Sequence, residues 1–191
     1  MKPFSTAVVF WGLTICAAHA AVFVAQPSYV NTNWNIAALW EQGDFPKALG
    51  DEVIITNGYI GNTSQARDIK LNIAATVTAV RFVGVTPSNC YPQIAADSSG
   101  SKLYVQSTSG NAQIEADSHT SYSWGSAFNV PIVFLSDTDI RSSIPSKYLV
   151  MGRDFHGTGN LHFYSPSGEG FIMLRTSASP DYTGTIYVSD S

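Results

Sequence analysis

The residues of this 191-residue chain best suited to chemistry are Asp137, Asp139, Arg141, Asp154 and His156. Clustered Asp with Arg is the equipment of enzymes that cleave acidic polysaccharides, in some cases with calcium as a further charge. In Ser136-Asp137-Thr138-Asp139-Ile140-Arg141 the two Asp alternate. On one strand they would share a face, close enough for a cation or an acid/base pair. Glycoside cleavage needs two carboxylates at a set separation across a cleft, and one strand does not supply that. Asp and Ser are also favoured beside turns, so a solvated outer face accounts for the same run. The expectation is no catalytic residue, with a polysaccharide lyase or hydrolase as the alternative.

The other reactive side chains point the same way. His119, His156 and His162 lack metal-ligand spacing, so neither a metal site nor a cofactor is expected. No Ser lies in a G-x-S-x-G elbow. Cys90, in Pro87-Ser88-Asn89-Cys90-Tyr91-Pro92, has no base beside it and reads as an inert thiol. Tyr104, Tyr122, Trp124, Tyr148, Tyr164 and Tyr187 could form a ladder for sugar stacking, although aromatic residues are common in strands for packing reasons alone. Asn62-Thr63-Ser64 fits the N-glycosylation pattern, which matters only in a eukaryotic secretory pathway. Binding residues stay unassigned, with polysaccharide or cell-surface components as the partners considered.

What would position these residues is a succession of short strands. Leu103 to Ile114 resembles Leu161 to Ile172 at one constant offset, and a fixed offset between strand-turn-strand units is how stacked solenoid coils show in sequence. Ile69 to Ile73 alternates strictly, and Thr76 to Val83 does much the same with a bulge between Val77 and Val80. A loop is expected from Gly84 to Gly100, then strands near 103–105, 112–115, 130–135, 148–151, 161–164, 171–175 and 185–188. Asn57-Gly58 is the strongest hairpin turn signal. Ile36 to Glu41 is the one run with helical leanings, so α/β crossover folds are excluded and the class is all-β. Of two all-β architectures, a carbohydrate-binding sandwich and a parallel β-helix, the repeat favours the second. Asn160 before Leu161 fits a coil corner with left-handed backbone.

Composition adds where such a chain would work. Only 13% of residues are charged, about half the usual share, and the net charge is −4. No basic run offers itself to phosphates, which sets nucleic acid aside. Lys2, the apolar run Ala7 to Ala17 and Ala18-His19-Ala20 read as a signal peptide over 1–20, leaving Ala21 first in the mature chain. The run falls short of a spanning helix, and no second one follows, so no membrane span is expected in the mature chain. Cys16 fits a lipobox badly because Ile15 precedes it; its removal leaves Cys90 alone, without a disulfide partner. Residues 21–50, with Trp34, Trp40 and Phe45, read as a cap sealing the first coil, the alternative being an aromatic ligand platform. Residues 51–191 are then the coils, stopping at Ser191 directly after a strand, as a fragment of a longer reading frame would.

Gly157-Thr158-Gly159-Asn160-Leu161, the later Leu174, and Tyr182-Thr183-Gly184-Thr185-Ile186-Tyr187-Val188-Ser189 resemble the autotransporter-associated β-strand repeat. The resemblance covers roughly the last 80 residues and extends loosely to Trp34-Asn35 and Gly50-Asp51-x-Val53. Pro180 stands where that family has Asn. The resemblance implies a right-handed, single-stranded parallel β-helix of the pectin-lyase-like kind, passenger-like and without its own translocator. The function expected from it is a secreted or surface-exposed, non-catalytic β-solenoid module with a structural or adhesive role.

Overall fold

The computed structural model describes residues 20–29, 31–56, 66–84, 91–117, 125–143, 148–165, 170–175 and 178–190. A first partial coil holds β1 (Val22–Ala25) and β2 (Thr32–Asn33), followed by one 3-10 turn, Ala37–Leu39. Five coils of three strands come next: β3 (Glu52–Thr56), β4 (Ala66–Leu71) and β5 (Ala75–Val77); β6 (Ala79–Val83), β7 (Tyr91–Ala96) and β8 (Leu103–Val105); β9 (Ala112–Asp117), β10 (Ser126–Asn129) and β11 (Ile132–Phe134); β12 (Thr138–Ser142), β13 (Tyr148–Met151) and β14 (Phe155–Gly157); β15 (Leu161–Ser165), β16 (Phe171–Leu174) and β17 (Ala178–Tyr182). The last strand is β18 (Ile186–Asp190). Each third strand returns to the same sheet, giving a seven-stranded sheet A (β1-β3-β6-β9-β12-β15-β18), a six-stranded sheet B (β2-β4-β7-β10-β13-β16) and a five-stranded sheet C (β5-β8-β11-β14-β17). Every pairing between named strands is parallel. The chain is therefore a parallel β-solenoid of about five turns, and the antiparallel sandwich is excluded.

Alternation makes this fold. Each strand is short and puts every second side chain inward, and parallel register then stacks like on like down the axis. In sheet A the inward column runs Phe23, Val53, Val80, Ile114, Ile140, Phe163. In sheet B it runs Ile69, Ile94, Phe128, Met151, and in sheet C Leu103, Ile132, Phe155. None of these residues is more than 6% exposed, and burying each large apolar side chain contributes about 1.5–3 kcal/mol. Phe82 meets Phe128 and Phe134 meets Phe155 edge to face, at 5.1 and 5.8 Å between ring centroids.

Several expectations change. Leu103 lies in sheet C and Leu161 in sheet A, so the two do not share an interior column. The apparent repeat matched non-equivalent corners, because all three sheets carry the same apolar alternation. True register partners are unevenly spaced, from 23 residues between Thr138 and Leu161 to 37 between Thr32 and Ile69. Residues 76–83 are not one bulged strand: Thr78 is a corner between β5 and β6, donating its backbone N–H to Asp51 O. The expected loop of 84–100 contains β7, with Pro92 as its second residue. Of residues 130–135 only Ile132–Phe134 form a strand, β11, and β10 ends before them at Asn129. Asn160 does not take a left-handed backbone; Gly157 does, at φ 100°. The helical leaning of 36–41 is realised only as the single 3-10 turn.

Residues 21–50 supply strands to sheets A and B. The chain then folds back: Gln26 N donates to Leu39 O (2.8 Å), Glu41 N to Val24 O (2.9 Å) and Val24 N to Gln42 Oε1 (2.9 Å), occupying the outer edge of β1. Trp34 and Trp40 are 0% and 1% exposed, with Trp34 Nε1 donating to Pro46 O and Trp40 Nε1 to Trp34 O, both at 2.8 Å. Such burial removes them as a ligand platform. Residues 1–19, which hold all but the last residue of the expected signal peptide, and Asn57-Gly58, Asn62-Thr63-Ser64, Cys90, His119, Tyr122 and Trp124 lie outside the described residues.

Candidate functional site

The outer face of sheet A is where the chemistry-bearing side chains gather. β12 buries Thr138, Ile140 and Ser142, so Asp139 and Arg141 between them face out. β15 buries Leu161 and Phe163, which turns His162 and Tyr164 outward. Register then builds two outer columns. One runs Gln113, Asp139, His162, Tyr187; the other runs Arg81, Glu115, Arg141, Tyr164.

Hydrogen bonds and charge pairs run along these columns from coil to coil. Asp139 accepts from Asn111 Nδ2 at 2.8 Å and from Gln113 Nε2 at 3.2 Å. Arg81 lies 3.7 Å from Glu52 and 3.3 Å from Glu115, and Arg141 Nη1 lies 3.8 Å from Glu115. Signs therefore alternate, Glu52, Arg81, Glu115, Arg141, until Tyr164 takes the next place. His162 and Tyr187 stack at 4.8 Å between centroids with 15° between planes. Tyr187 is 50% exposed.

Asp137 sits just before β12, at the corner leading into sheet A. Its carboxylate accepts the Asn160 backbone N–H at 2.9 Å and Asn160 Nδ2 at 3.3 Å. Those bonds, the backbone one foremost, hold its carboxyl below the usual carboxylate range. Asn160 Oδ1 in turn accepts from Thr185 N at 2.9 Å, so one tie crosses three coils. The same corner explains the glycines of the repeat-like motif. A Cβ on Gly159 would lie 2.1 Å from Ser136 O, and one on Gly184 would lie 2.2 Å from Gly159 O. Tyr182 closes the corner by donating its hydroxyl to Gly159 O at 3.0 Å. Burial, with the charge of Asp137 as a lesser cause, raises the Tyr182 phenol.

The five residues proposed from sequence do not converge. Asp139 and Arg141 share the face of sheet A, and Asp137 is at its corner. Asp154 is exposed just before β14. His156 faces out from sheet C, where its Nδ1 lies 2.8 Å from Asp181 Oδ1. The aromatic ladder separates as well: Tyr104 belongs to sheet C, and Tyr148 to sheet B, where it packs on Phe171 at 5.5 Å. Among the described members, Tyr164 and Tyr187 lie on neighbouring strands of sheet A, in different columns. Gln113, Glu115, Arg81 and Asn111 were not singled out as site residues, and Asn160 only as a corner, because their roles depend on coil partners that uneven spacing hides. Among the described residues no group of three or more His, Cys, Asp or Glu is placed to hold a metal ion. No described helix is long and apolar enough to cross a membrane. Comparison with family models, with curated proteins and with solved structures returned no match to this chain.

Proposed function

We propose that the chain is a non-catalytic β-solenoid module working in secreted form or at a cell surface, in a passenger-like structural or adhesive role. One observation carries this reading: Asp139, Glu115 and Asp137, on and beside the outer face of sheet A, are already tied. Asp139 takes two amide donors, Glu115 lies between two arginines, and Asp137 takes two bonds from Asn160. A general acid needs a proton near neutral pH, and Asp137, held low by its bonds from Asn160, lacks one. These side chains act as axial staples, so the mechanism is mechanical. Coils hydrogen-bonded along one axis give a stiff spacer, and the fold-back of residues 39–42 over β1 closes its first end.

The leader-like residues Lys2 to Ala20 support export, and the Gly157–Leu161 and Tyr182–Ser189 motifs support likeness to autotransporter passengers. The test has two parts. Incubated with acidic and neutral polysaccharides, the purified chain is expected to release no new reducing ends. Turnover that Asp139→Asn abolishes would overturn the reading. Expressed from Met1, the chain is expected outside the cytosol with Ala21 at its N-terminus; cytosolic protein retaining Met1 would refute export.

A further inference from the structure

On the reading that this face does not catalyse, the geometry points to a binding site for an uncharged, extended polysaccharide on sheet A, over β12, β15 and β18. Four observations converge there. First, the face ends in an aromatic stack, His162 on Tyr187, with Tyr187 half exposed and Tyr164 on the neighbouring column. Aromatic rings with a polar handle present an apolar face to a sugar ring and a hydroxyl to its oxygens. Second, donors and acceptors flank the rings. Arg141, 39% exposed, is tied on one side only, because Tyr164 stands where the alternating ladder would place another acid.

Third, the charges decide between glycans. Arg141 is offset by Glu115, and Asp139 adds a negative charge beside it, so the patch carries no positive excess to attract a polyanion. Fourth, strands repeat about every 4.8 Å along the axis, close to the advance per sugar of an extended hexose chain. A glycan lying along the axis would meet one coil per residue or so. Among the described residues, sheet B has the aromatic pair Tyr148 and Phe171, but the other outer faces differ from this one in what surrounds their rings. On sheet B, Ala127 and Val150 are each only 1% exposed, and on sheet C the ring of His156 is engaged by Asp181.

The experiment is affinity electrophoresis of the full chain in gels containing a mixed-linkage glucan, xylan or galactomannan, with polygalacturonate as the charged comparison. Retardation by at least one neutral polysaccharide is expected. Tyr187→Ala and Tyr164→Ala should each weaken it about tenfold, while Tyr104→Ala on sheet C leaves it unchanged. Far-UV circular dichroism identifies variants that fold, and either tyrosine variant suffices. Retention by no neutral polysaccharide, equal loss in Tyr104→Ala, or salt-sensitive retention by polygalacturonate alone each overturns the inference. Reducing ends measured in the same samples separate the two readings. No binding and no cleavage removes this inference alone, whereas cleavage removes the non-catalytic reading and this one with it.

Discussion

The two ends of the stack are built differently, although the same inward columns run through both. At the first end, Phe23 is 6% exposed, Trp34 and Trp40 are buried, and the outer edge of β1 is paired by residues 39–42. At the last, the same columns surface. Val188 continues the line of Phe163 and is 79% exposed; Leu174 continues that of Met151 and is 43% exposed. Phe163, Phe171, Ile172, Leu174 and Val188 line an open cavity of about 230 Å³ there. A coil in mid-stack is buried by neighbours on both sides, and a terminal one by a single neighbour. The stability of a coil therefore depends on what lies next to it, as in other quasi-one-dimensional folds.

The largest expected effect breaks this comparison at its firm end. Trp40→Ala removes a buried ring packed edge to face against Trp34 at 5.1 Å and Phe23 at 6.3 Å, and its cost should be about 3–5 kcal/mol in urea unfolding. Phe171→Ala, at the open end and 49% exposed, should cost about a third of that or less. Native-state hydrogen exchange should rank the strands likewise, with amides of β18 opening far more readily than those of β9. Equal losses for the two substitutions would show that both ends are equally supported and sink the distinction.

A smaller effect tests the contact between coils. Gly159→Ala places a methyl within 2.1 Å of Ser136 O and 2.5 Å of Ser136 C. Backbone cannot yield as a flexible side chain can, so the corner must open, at about 1–3 kcal/mol. Gly43→Ala provides a contrast, since no atom lies within 4 Å of its added Cβ and only its φ of 70° opposes the change. A Gly159→Ala chain as stable as the parent would mean that the last coils already stand apart.

These contrasts also mark what was legible in the sequence. Alternation and the absence of long helices sufficed for the all-β class, because those are local properties; the parallel solenoid was read from a repeat between Leu103 and Leu161 whose units are not register partners. Assigning strands to sheets was not local. Leu103 and Leu161 look alike in sequence because each begins a short apolar strand after a corner, yet they belong to different sheets. β7 was missed because Pro92 reads as a breaker, although a proline near a strand's start loses little of the ladder. At the site, Asp137, Asp139 and Arg141 stood out as charges, but Glu115, Gln113 and Asn160 hold them from other coils. Asn160 shows the limit well. Its residue type suggested an unusual backbone angle, whereas its structural role is a side chain bonded to the coils on either side.

The smallest expected effect lies in that same tie and is read through pH. Asp137 has its folded pKa lowered, so its contribution to stability is present above the unfolded value of about 3.9 and is lost as pH falls through the folded value. Asp137→Asn keeps an acceptor for the Asn160 N–H but has no charge to lose. Above about pH 5 the variant should melt about 1–3 °C below the parent, and the gap should close as pH falls below 4. Asp44 and Asp97 are also held low, by Lys47 and Ser99 respectively. Both carboxylates are present in parent and variant, so their acid sensitivity cancels in the difference. Because the tie reaches Thr185, the closing gap should also appear as faster exchange of the β15 and β18 amides in the parent once Asp137 is protonated. Melting curves that stay parallel from pH 6 to pH 3 would mean that Asp137 does not couple these coils, and that the open end rests on backbone pairing alone.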